Sequence, residues 1–316
     1  MKVSNMNIPV NTQMSLNVPE RRAYKTSEGL LCRDPFIMLY DGRYFLYKTA
    51  VREGVDCIVS EDLENWSEPV RVFSTPENFH GIDSFFWAPE CHYYKGNFYI
   101  FTSVLSSKTN HRNISVYRAD NPLGPFEDIA DGCVGKPDWD TIDGTLYVDG
   151  KGQPWMVFVH EWTSMPDKNG AMCAARLSED LTHFIDEPIE LFRARDPKWA
   201  RNGVTDGPFL CKADNGKLIM IWSNCSEKGY VIGKVSSASG EIDGEWSQEE
   251  ELLYERGLKP DYTVDGGHGM LFFDKDNVLR LAFHGPNTRP ENPDFPHLIL
   301  KEVGFDGETL YIKDQV

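Results

Sequence analysis

LCRDPFIMLYDGRYFLYKT, residues 31–49, contains the unit from which most of the chain is built. An apolar run long enough for one strand follows Asp34, and Asp41-Gly42 is a dipeptide that favours the tight turn of a β-hairpin. A second, aromatic-rich strand over residues 44–49 then returns to the level of Asp34. The sequence therefore predicts a hairpin with a carboxylate at its open end.

The same order of polar residue, strand, turn and strand recurs four more times. Starting from Asp34, the later units begin at Glu90, Asp143, Asp206 and His268, in steps of 56, 53, 63 and 62 residues. A repeat of this length can hold one four-stranded sheet, which is the blade of a propeller. We predict an all-β fold, a five-bladed β-propeller whose four-stranded antiparallel blades surround a central axis.

Composition limits the domain organisation and the partners. We expect one domain over residues 1–316, with residues 1–30 as an N-terminal arm involved in closing the ring. A net charge of −17 argues against nucleic acid and anionic membranes as partners. We find no apolar run long enough for a membrane span and no apolar region typical of a signal peptide. Seven cysteines without a CxxC pair predict free thiols and a cytoplasmic location. Charge and composition leave the oligomeric state open.

Ring closure has a consequence for function. If every inner strand begins at the same end of the ring, Asp34, Asp143 and Asp206 converge there from three blades. One carboxylate can then act as a base on water, a protonated one as an acid on a leaving oxygen, and a third can tune the acid. The second strands return to the same end, so we expect five residues at its rim: Thr49, Ser103, Glu161, Ser223 and His284.

Five short motifs carry a family resemblance. They are RDPF (33–36), WAPE (87–90), IDG (142–144), TDGP (205–208) and GGHG (266–269). In this order and spacing the chain resembles glycoside hydrolase family 43, the five-bladed propellers that act mainly on arabinose- and xylose-containing glycans. The resemblance covers residues ~30–285.

The resemblance implies a role for each of four residues. Asp34 would be the general base that activates water, Asp143 the carboxylate that orients and tunes the acid, and Asp206 the general acid. The family inverts anomeric configuration, so base and acid should lie about 6.5–9.5 Å apart. His268 would lie near the ring axis, where several relatives hold a calcium ion or a water cluster. Calcium bound by His268 is thus one expectation, a substrate or water contact is another, and no cofactor is expected to be required.

Asp206 departs from the family pattern, which usually has Glu at this position. Losing one methylene withdraws the carboxyl by about 1.5 Å, and a misplacement of that order can lower a rate about 10²-fold. Three interpretations stay open. The backbone lies closer and Asp206 is still the acid, Glu161 takes over as an alternative acid, or the site is weak or inactive. Glu161 also has a simpler interpretation, as a rim residue that binds a sugar hydroxyl.

Further residues are expected to bind substrate. Trp87 is the predicted stacking platform for a sugar ring, and His160, Trp162 and His284 are expected at the mouth of the site. Glu90 is interpreted as a structural acceptor. A Ser/His/Asp triad stays open, although no GxSxG motif is present.

We therefore predict an inverting, exo-acting hydrolase of small oligosaccharides that end in α-L-arabinofuranose or β-D-xylose. Two alternatives remain. A glycoside phosphorylase would need cationic residues near Asp34, and one possible source is the loop with Arg193, Arg195, Lys198 and Arg201. A catalytically weak sugar-binding propeller would bind oligosaccharides without turnover.

Overall fold

The computed structural model describes residues 3–4, 25–26, 30–49, 53–81, 85–130, 132–286 and 296–313. These residues form five antiparallel sheets arranged as the blades of a propeller, which confirms the predicted fold. None of the described segments is a helix that could cross a membrane.

The first two blades follow two short strands, β1 (Val3–Ser4) and β2 (Lys25–Thr26). Blade one consists of β3 (Arg33–Tyr40), β4 (Arg43–Thr49), β5 (Gly54–Ser60), β6 (Asn65–Trp66) and β7 (Val70–Ser74). Blade two consists of β8 (Trp87–Tyr94), β9 (Asn97–Leu105), β10 (Arg112–Ala119) and β11 (Glu127–Asp128). β2 adds to the outer edge of blade one by pairing with β6.

The other three blades repeat the same meander. Blade three consists of β12 (Thr141–Val148), β13 (Pro154–His160), β14 (Ala171–Arg176) and β15 (Ile189–Arg193). Blade four consists of β16 (Asp206–Ala213), β17 (Leu218–Ser226), β18 (Gly229–Ser237) and β19 (Trp246–Gln248), and β1 pairs with β16. Blade five consists of β20 (Gly267–Phe273), β21 (Leu279–Gly285), β22 (His297–Phe305) and β23 (Leu310–Ile312).

The ring closes between blades five and one. Leu31 forms an antiparallel bridge with His297, and the Cys32 N–H donates to the Pro296 carbonyl at 2.8 Å. Most of the predicted arm, residues 1–30, lies outside the described residues, so its part in closure stays a prediction. Aromatic pairs fill the junctions between blades. Phe73 stacks on Tyr117 at 3.9 Å between blades one and two.

Local turn chemistry behaves as the sequence predicts. Asp41 and Gly42 have φ values of 47° and 72°, the left-handed pair that a two-residue hairpin turn of this kind requires. Arg43 then begins β4, which pairs with β3 as far as Thr49. This hairpin therefore carries Asp34 and Thr49 at the same open end.

Every inner strand is interrupted by a β-bulge close to that end. The register shifts just beyond the first paired residues of β3, β8, β12, β16 and β20. One bulge residue in each blade has a left-handed φ of 43° to 53°: Asp34, Ala88, Asp143, Gly207 and His268. The equivalent positions in blades two and four are thus Ala88 and Gly207, not the unit starts Glu90 and Asp206 chosen from the sequence. Polar residue type alone does not fix bulge register.

Candidate active site

The bulges hold the site residues through hydrogen bonds between blades. In four blades the N–H of the left-handed residue donates to a side chain from the preceding blade of the ring: Asp34 to His284 Nδ1 at 3.1 Å, Ala88 to Thr49 Oγ1 at 2.7 Å, Asp143 to Ser103 Oγ at 3.1 Å and His268 to Ser223 Oγ at 2.8 Å. A left-handed φ at a non-glycine residue is strained, and surrounding contacts must maintain it. Four of the expected rim residues supply those contacts.

The junction of blades three and four uses a carboxylate instead. The residue opposite Ile142 on β13 is Val159, which has no polar side chain. The Gly207 N–H donates to Asp143 Oδ2 at 3.0 Å. This bond joins the bulges of two blades and fixes one oxygen of Asp143.

A cleft of about 780 Å³ opens at this end of the ring. The three predicted catalytic residues Asp34, Asp143 and Asp206 line it together, although they come from blades one, three and four. This volume is within the range of small-molecule sites. Other lining residues include Arg33, Lys48, Thr49, Phe85, Trp87, Glu161, Trp162, Tyr230 and His268.

Asp34 is held in its ionised form. Its side chain accepts a hydrogen bond from Thr49 Oγ1 at 2.6 Å, and His268 Nδ1 lies 3.2 Å from its Oδ1. Burial opposes ionisation, but the charges of His268 and Arg33 together with the Thr49 bond outweigh it and lower the pKa of Asp34. Asp34 is therefore a carboxylate at neutral pH.

Asp143 and His268 lie next to Asp34. His268 Nδ1 is 3.8 Å from Asp143 Oδ2, so the imidazole contacts both carboxylates. Burial raises the pKa of Asp143, the positive charge of His268 opposes this, and the negative charge of Asp34 adds to it, giving a value of about 6. Burial lowers the pKa of His268, yet the carboxylates around it, led by Asp34, raise it overall.

The pKa of Asp206 is shifted in the opposite direction from that of Asp34. Burial and the neighbouring charge of Asp143 raise the pKa of Asp206 to about 7. Tyr230 Oη donates to its Oδ2 at 2.9 Å, which fixes the orientation of the carboxyl group. Asp206 immediately precedes the bulge residue Gly207, where an added Cβ would lie only 2.7 Å from His268 Cδ2. The backbone of blade four therefore approaches His268 more closely than a side chain would allow.

Glu161 contributes a fourth carboxyl to the cleft. It follows His160, the last residue of β13, and is half-buried. Thr163 Oγ1 lies 3.1 Å from Glu161 Oε2. Burial raises the pKa of Glu161, the Thr163 contact opposes this, and the charges of Asp140 and Asp206 add to it.

Aromatic side chains form part of the cleft wall. Phe85 and Trp162 are 42% and 38% exposed. Trp87 lies beneath the guanidinium of Arg112, whose Cζ is 3.3 Å from the ring centroid. A cation on one face of an indole leaves the other for a ligand, and flat apolar faces suit sugar rings. Trp87, the predicted stacking platform, and Trp162, expected at the mouth, both line the cleft, as does Phe85.

Two of the predicted substrate-binding histidines lie outside the cleft lining. His160 is buried, stacks on Trp139 at 3.8 Å and contacts Ser164 Oγ at 3.1 Å. His284 is buried behind Asp34, whose N–H it accepts. Burial lowers the pKa of each to about 4, so both act as neutral supports.

Tyr230 and Lys48 line the cleft but were not found from the sequence. Tyr230 is in the third strand of its blade, and the repeat pattern drew attention only to the first two strands. Lys48 directly precedes Thr49, whose place at the rim was predicted, so the residue one position earlier in the same strand could have been considered as well. The predicted loop of Arg193, Arg195, Lys198 and Arg201 lies away from the cleft, and three of these residues pair with surface carboxylates.

A calcium ion near the axis stays a prediction. Within the described ranges, no group of three or more His, Cys, Asp or Glu side chains is arranged to hold a metal ion. Calcium prefers six to eight oxygen ligands, whereas His268 offers an imidazole whose Nδ1 faces the carboxylates of Asp34 and Asp143. His268 in this arrangement does not fit a calcium ligand.

Several known proteins resemble this chain. The structure of an endo-arabinase from Bacteroides thetaiotaomicron is 32% identical, with a TM-score of 0.80 over 90% of this chain and 99% of that one. The extracellular exo-α-(1→5)-L-arabinofuranosidase ArbA of Cellvibrio japonicus is 26% identical over 66% of this chain and 65% of its own length. The extracellular endo-α-(1→5)-L-arabinanase 1 of Bacillus subtilis is 25% identical over 46% of this chain and 49% of its own length. The chain thus matches two thirds or less of these two curated relatives.

The prediction of a cytoplasmic location is wrong, because these two relatives are named extracellular. That prediction rested on the free cysteines. Cys32, Cys57, Cys91, Cys173 and Cys211 are free, buried thiols. A buried thiol behaves as a small apolar side chain, so these residues do not identify the redox compartment.

The family model of glycosyl hydrolases family 43 matches residues 30–309, a range that begins just before the first inner strand and ends just before β23, the last strand of blade five. The motifs that suggested this family each contribute to an inner strand or its approach, and the three that contain aspartate place their carboxyl groups around one cleft. The chain belongs to glycosyl hydrolases family 43.

Proposed function

We propose that this protein is an inverting glycoside hydrolase in which Asp34 is the general base and Asp206 the general acid. One observation supports this most strongly: two carboxyl groups of one cleft have pKa values shifted in opposite directions. A base must be ionised and an acid protonated at the working pH, and environments that separate two carboxyl pKa values identify such pairs.

The reaction would proceed in one displacement. A water molecule attacks the anomeric carbon while Asp34 accepts its proton, and Asp206 donates a proton to the departing glycosidic oxygen as the bond to the sugar breaks. The base–acid distance of about 6.5–9.5 Å that inversion needs stays a prediction. Asp143 does not transfer a proton in this scheme. Its negative charge helps to keep the proton on Asp206.

We propose α-L-arabinofuranosyl linkages of arabinan as the preferred substrate. The support is the naming of three similar proteins as arabinan-cleaving or arabinofuranoside-cleaving enzymes. Xylosides are the second class to test. The prediction of exo action drew on a cytoplasmic location and loses that support, but ArbA is named as exo-acting. We retain exo action as the proposal.

The test compares the native protein with Asp34→Asn on 4-nitrophenyl α-L-arabinofuranoside, 4-nitrophenyl β-D-xyloside and linear arabinan. We expect turnover of the arabinofuranoside and a loss of about 10³-fold or more in Asp34→Asn, because removing a general base forfeits its contribution. Proton NMR of the first product should show the inverted anomer. Arabinose as the earliest product from arabinan indicates exo action, and a ladder of oligosaccharides contradicts it.

The two alternatives give different results. Phosphate-dependent release of a sugar 1-phosphate would identify a phosphorylase. Binding of arabino-oligosaccharides by calorimetry without turnover of any substrate would identify a sugar-binding propeller, and either result contradicts the proposal.

A further inference from the structure

Thr163 lies between two carboxyl groups at the edge of the cleft. Its Oγ1 is 2.7 Å from Asp140 Oδ2 and 3.1 Å from Glu161 Oε2. A threonine hydroxyl has one proton to donate and lone pairs to accept with. If both carboxyl groups were ionised, one of the two contacts would be left without a proton of its own.

Asp140 is the group that takes the Thr163 proton. It makes the shorter contact, accepts the Arg112 N–H at 3.0 Å, and has His111 Nδ1 at 3.0 Å. Burial opposes its ionisation, but these donors, led by Thr163, lower the pKa of Asp140 overall. Asp140 is therefore an ionised acceptor with its partners in place.

Proton counting then assigns the remaining proton to Glu161. Its contact with Thr163 Oγ1 is favourable when Glu161 donates and the hydroxyl oxygen accepts. The charged groups that face Glu161 are Asp140, Asp206 and Arg112. Burial and the two negative charges raise the pKa of Glu161, and they outweigh the Thr163 contact and the positive charge of Arg112, which lower it. Geometry and electrostatics thus both favour the protonated form of Glu161, which lies in the same cleft as Asp206.

We propose that Glu161 is a second proton donor to the leaving glycosidic oxygen, acting beside Asp206. In a turnover that uses Glu161, its O–H bond breaks, a new O–H bond forms on the leaving oxygen as the bond to the sugar breaks, and Asp206 keeps its own proton. Glu161 then remains as a carboxylate until water returns a proton. This inference rests on the proposed hydrolase function.

The experiment measures kcat/KM for two arabinofuranosides with different leaving groups. A 2,4-dinitrophenolate leaves without acid assistance, whereas a methylumbelliferyl or alkyl group needs it. Four proteins are compared: native, Glu161→Gln, Asp206→Asn and the double variant. Glu187→Gln is the matched control, because Glu187 is an exposed carboxylate paired with Lys136 on the surface.

The inference predicts a loss that depends on the leaving group. In the Asp206→Asn background, Glu161→Gln should lower kcat/KM by about tenfold or more for the poor leaving group, since a general acid contributes about 10²–10⁴-fold. The same change should alter kcat/KM for the dinitrophenyl substrate by no more than about twofold. Glu187→Gln should alter kcat/KM for either substrate by no more than about twofold. A merely structural or binding role would lower both substrates equally.

Failure of the inference can be separated from failure of the proposed function. If the native protein hydrolyses the dinitrophenyl substrate and Asp34→Asn does not, the function stands. An unchanged substrate ratio in the double variant then overturns the role of Glu161 alone. If the native protein hydrolyses neither substrate, both proposals are wrong.

Discussion

Asp34 and Asp206 have the same side chain, but their surroundings shift its pKa in opposite directions. Asp34 has Thr49 as a donor and His268 as a close cation, which stabilise the negative charge. Asp206 accepts a hydrogen bond from Tyr230, but burial and the nearby charge of Asp143 favour its neutral form. The difference between the two carboxyl groups thus arises from their contacts and not from residue type.

Thr49 is predicted to position Asp34 and keep it ionised. Its Oγ1 accepts the Ala88 N–H, so its own proton points to Asp34 Oδ2. Thr49→Val removes this bond without a large change in volume. We expect kcat/KM to fall about tenfold, given that hydrogen bonds to charged groups contribute roughly 1.5–3 kcal/mol.

The pH dependence of kcat/KM shows in which direction Thr49→Val shifts the pKa of Asp34. Losing a donor to the ionised form raises the pKa of Asp34, so the acid limb of kcat/KM should move up by about one pH unit. Thr49→Ser keeps the hydroxyl and should restore most of the activity and the native acid limb. An acid limb at the same pH in Thr49→Val and the native protein would show that Thr49 does not tune the base.

At the scale of strands, the five bulges are the elements that build the site. Each bulge turns one residue of an inner strand into a left-handed conformation and frees its N–H for the neighbouring blade. In three blades that residue is Asp34, Asp143 or His268, so the strained position carries the polar side chain. In blade four the position is Gly207, and the preceding Asp206 reaches the cleft instead.

Gly207→Ala is predicted to disturb both stability and the site. The alanine would have to keep the φ of 51°, which is unfavourable for a residue with a side chain. Its Cβ would lie 2.7 Å from His268 Cδ2. We expect a loss of about 2 kcal/mol or more in the free energy of unfolding, measured in urea, because backbone strain and a clash add. Activity should fall as well, since the shifted ring is the cation next to Asp34.

Gly216→Ala is the control for this change. Gly216 also has a positive φ, of 88°, but an added Cβ would meet no atom within 4 Å. Gly216→Ala should lower the free energy of unfolding by only about 1 kcal/mol, because only the backbone conformation is unfavourable. Equal losses of stability in the two variants would show that the contact with His268 is not tight.

At the scale of the whole molecule, buried polar groups connect the blades and loops of the ring. His80 lies in the segment before blade two, and its ring joins two strands of that blade. Nδ1 is 3.2 Å from Asp128 Oδ2 and Nε2 is 2.7 Å from Ser115 Oγ. The Ser/His/Asp arrangement is that of a triad, but Ser115 is fully buried. Substrate cannot reach it, so the cluster is structural.

The His80 cluster is predicted to make stability depend on pH. Burial lowers the pKa of His80, but Asp128 and Cys133 raise it overall, to about 9 from an ordinary 6.5. A raised folded-state pKa stabilises the protein fully below about pH 6.5, and the contribution is lost as pH rises towards 9. The free energy of unfolding in urea should therefore fall across this window, by at most about 1.4 kcal/mol per pH unit for one proton.

Asp128→Asn is the reference for that measurement. It removes the negative charge, so the slope between pH 6.5 and 9 should become shallower. The carboxyl groups of Asp143 and Asp206 titrate near the lower part of this window in both proteins and cancel in the comparison. Identical slopes would contradict a protonated His80.

The local sequence was enough to predict the hairpins, the ring and the family. Alternating apolar residues and dipeptides such as Asp41-Gly42 act within a few residues, so strands and turns could be read directly. Five such units of similar length fit a closed ring, and closure brings Asp34, Asp143 and Asp206 into one cleft. These properties follow from short-range chemistry and from the number of repeats.

Contacts between distant residues decided the rest. The bulge register in blades two and four, the inward placement of His160 and His284, and the contact of Tyr230 with Asp206 depend on packing between strands and blades. The His284 bond to Asp34 joins residues 250 positions apart. A pKa depends on burial and on every nearby charge, so no motif shows that Asp34 is ionised while Asp206 and Glu161 are inclined to keep a proton. Those states require the three-dimensional arrangement, because the groups that set them come from all five blades.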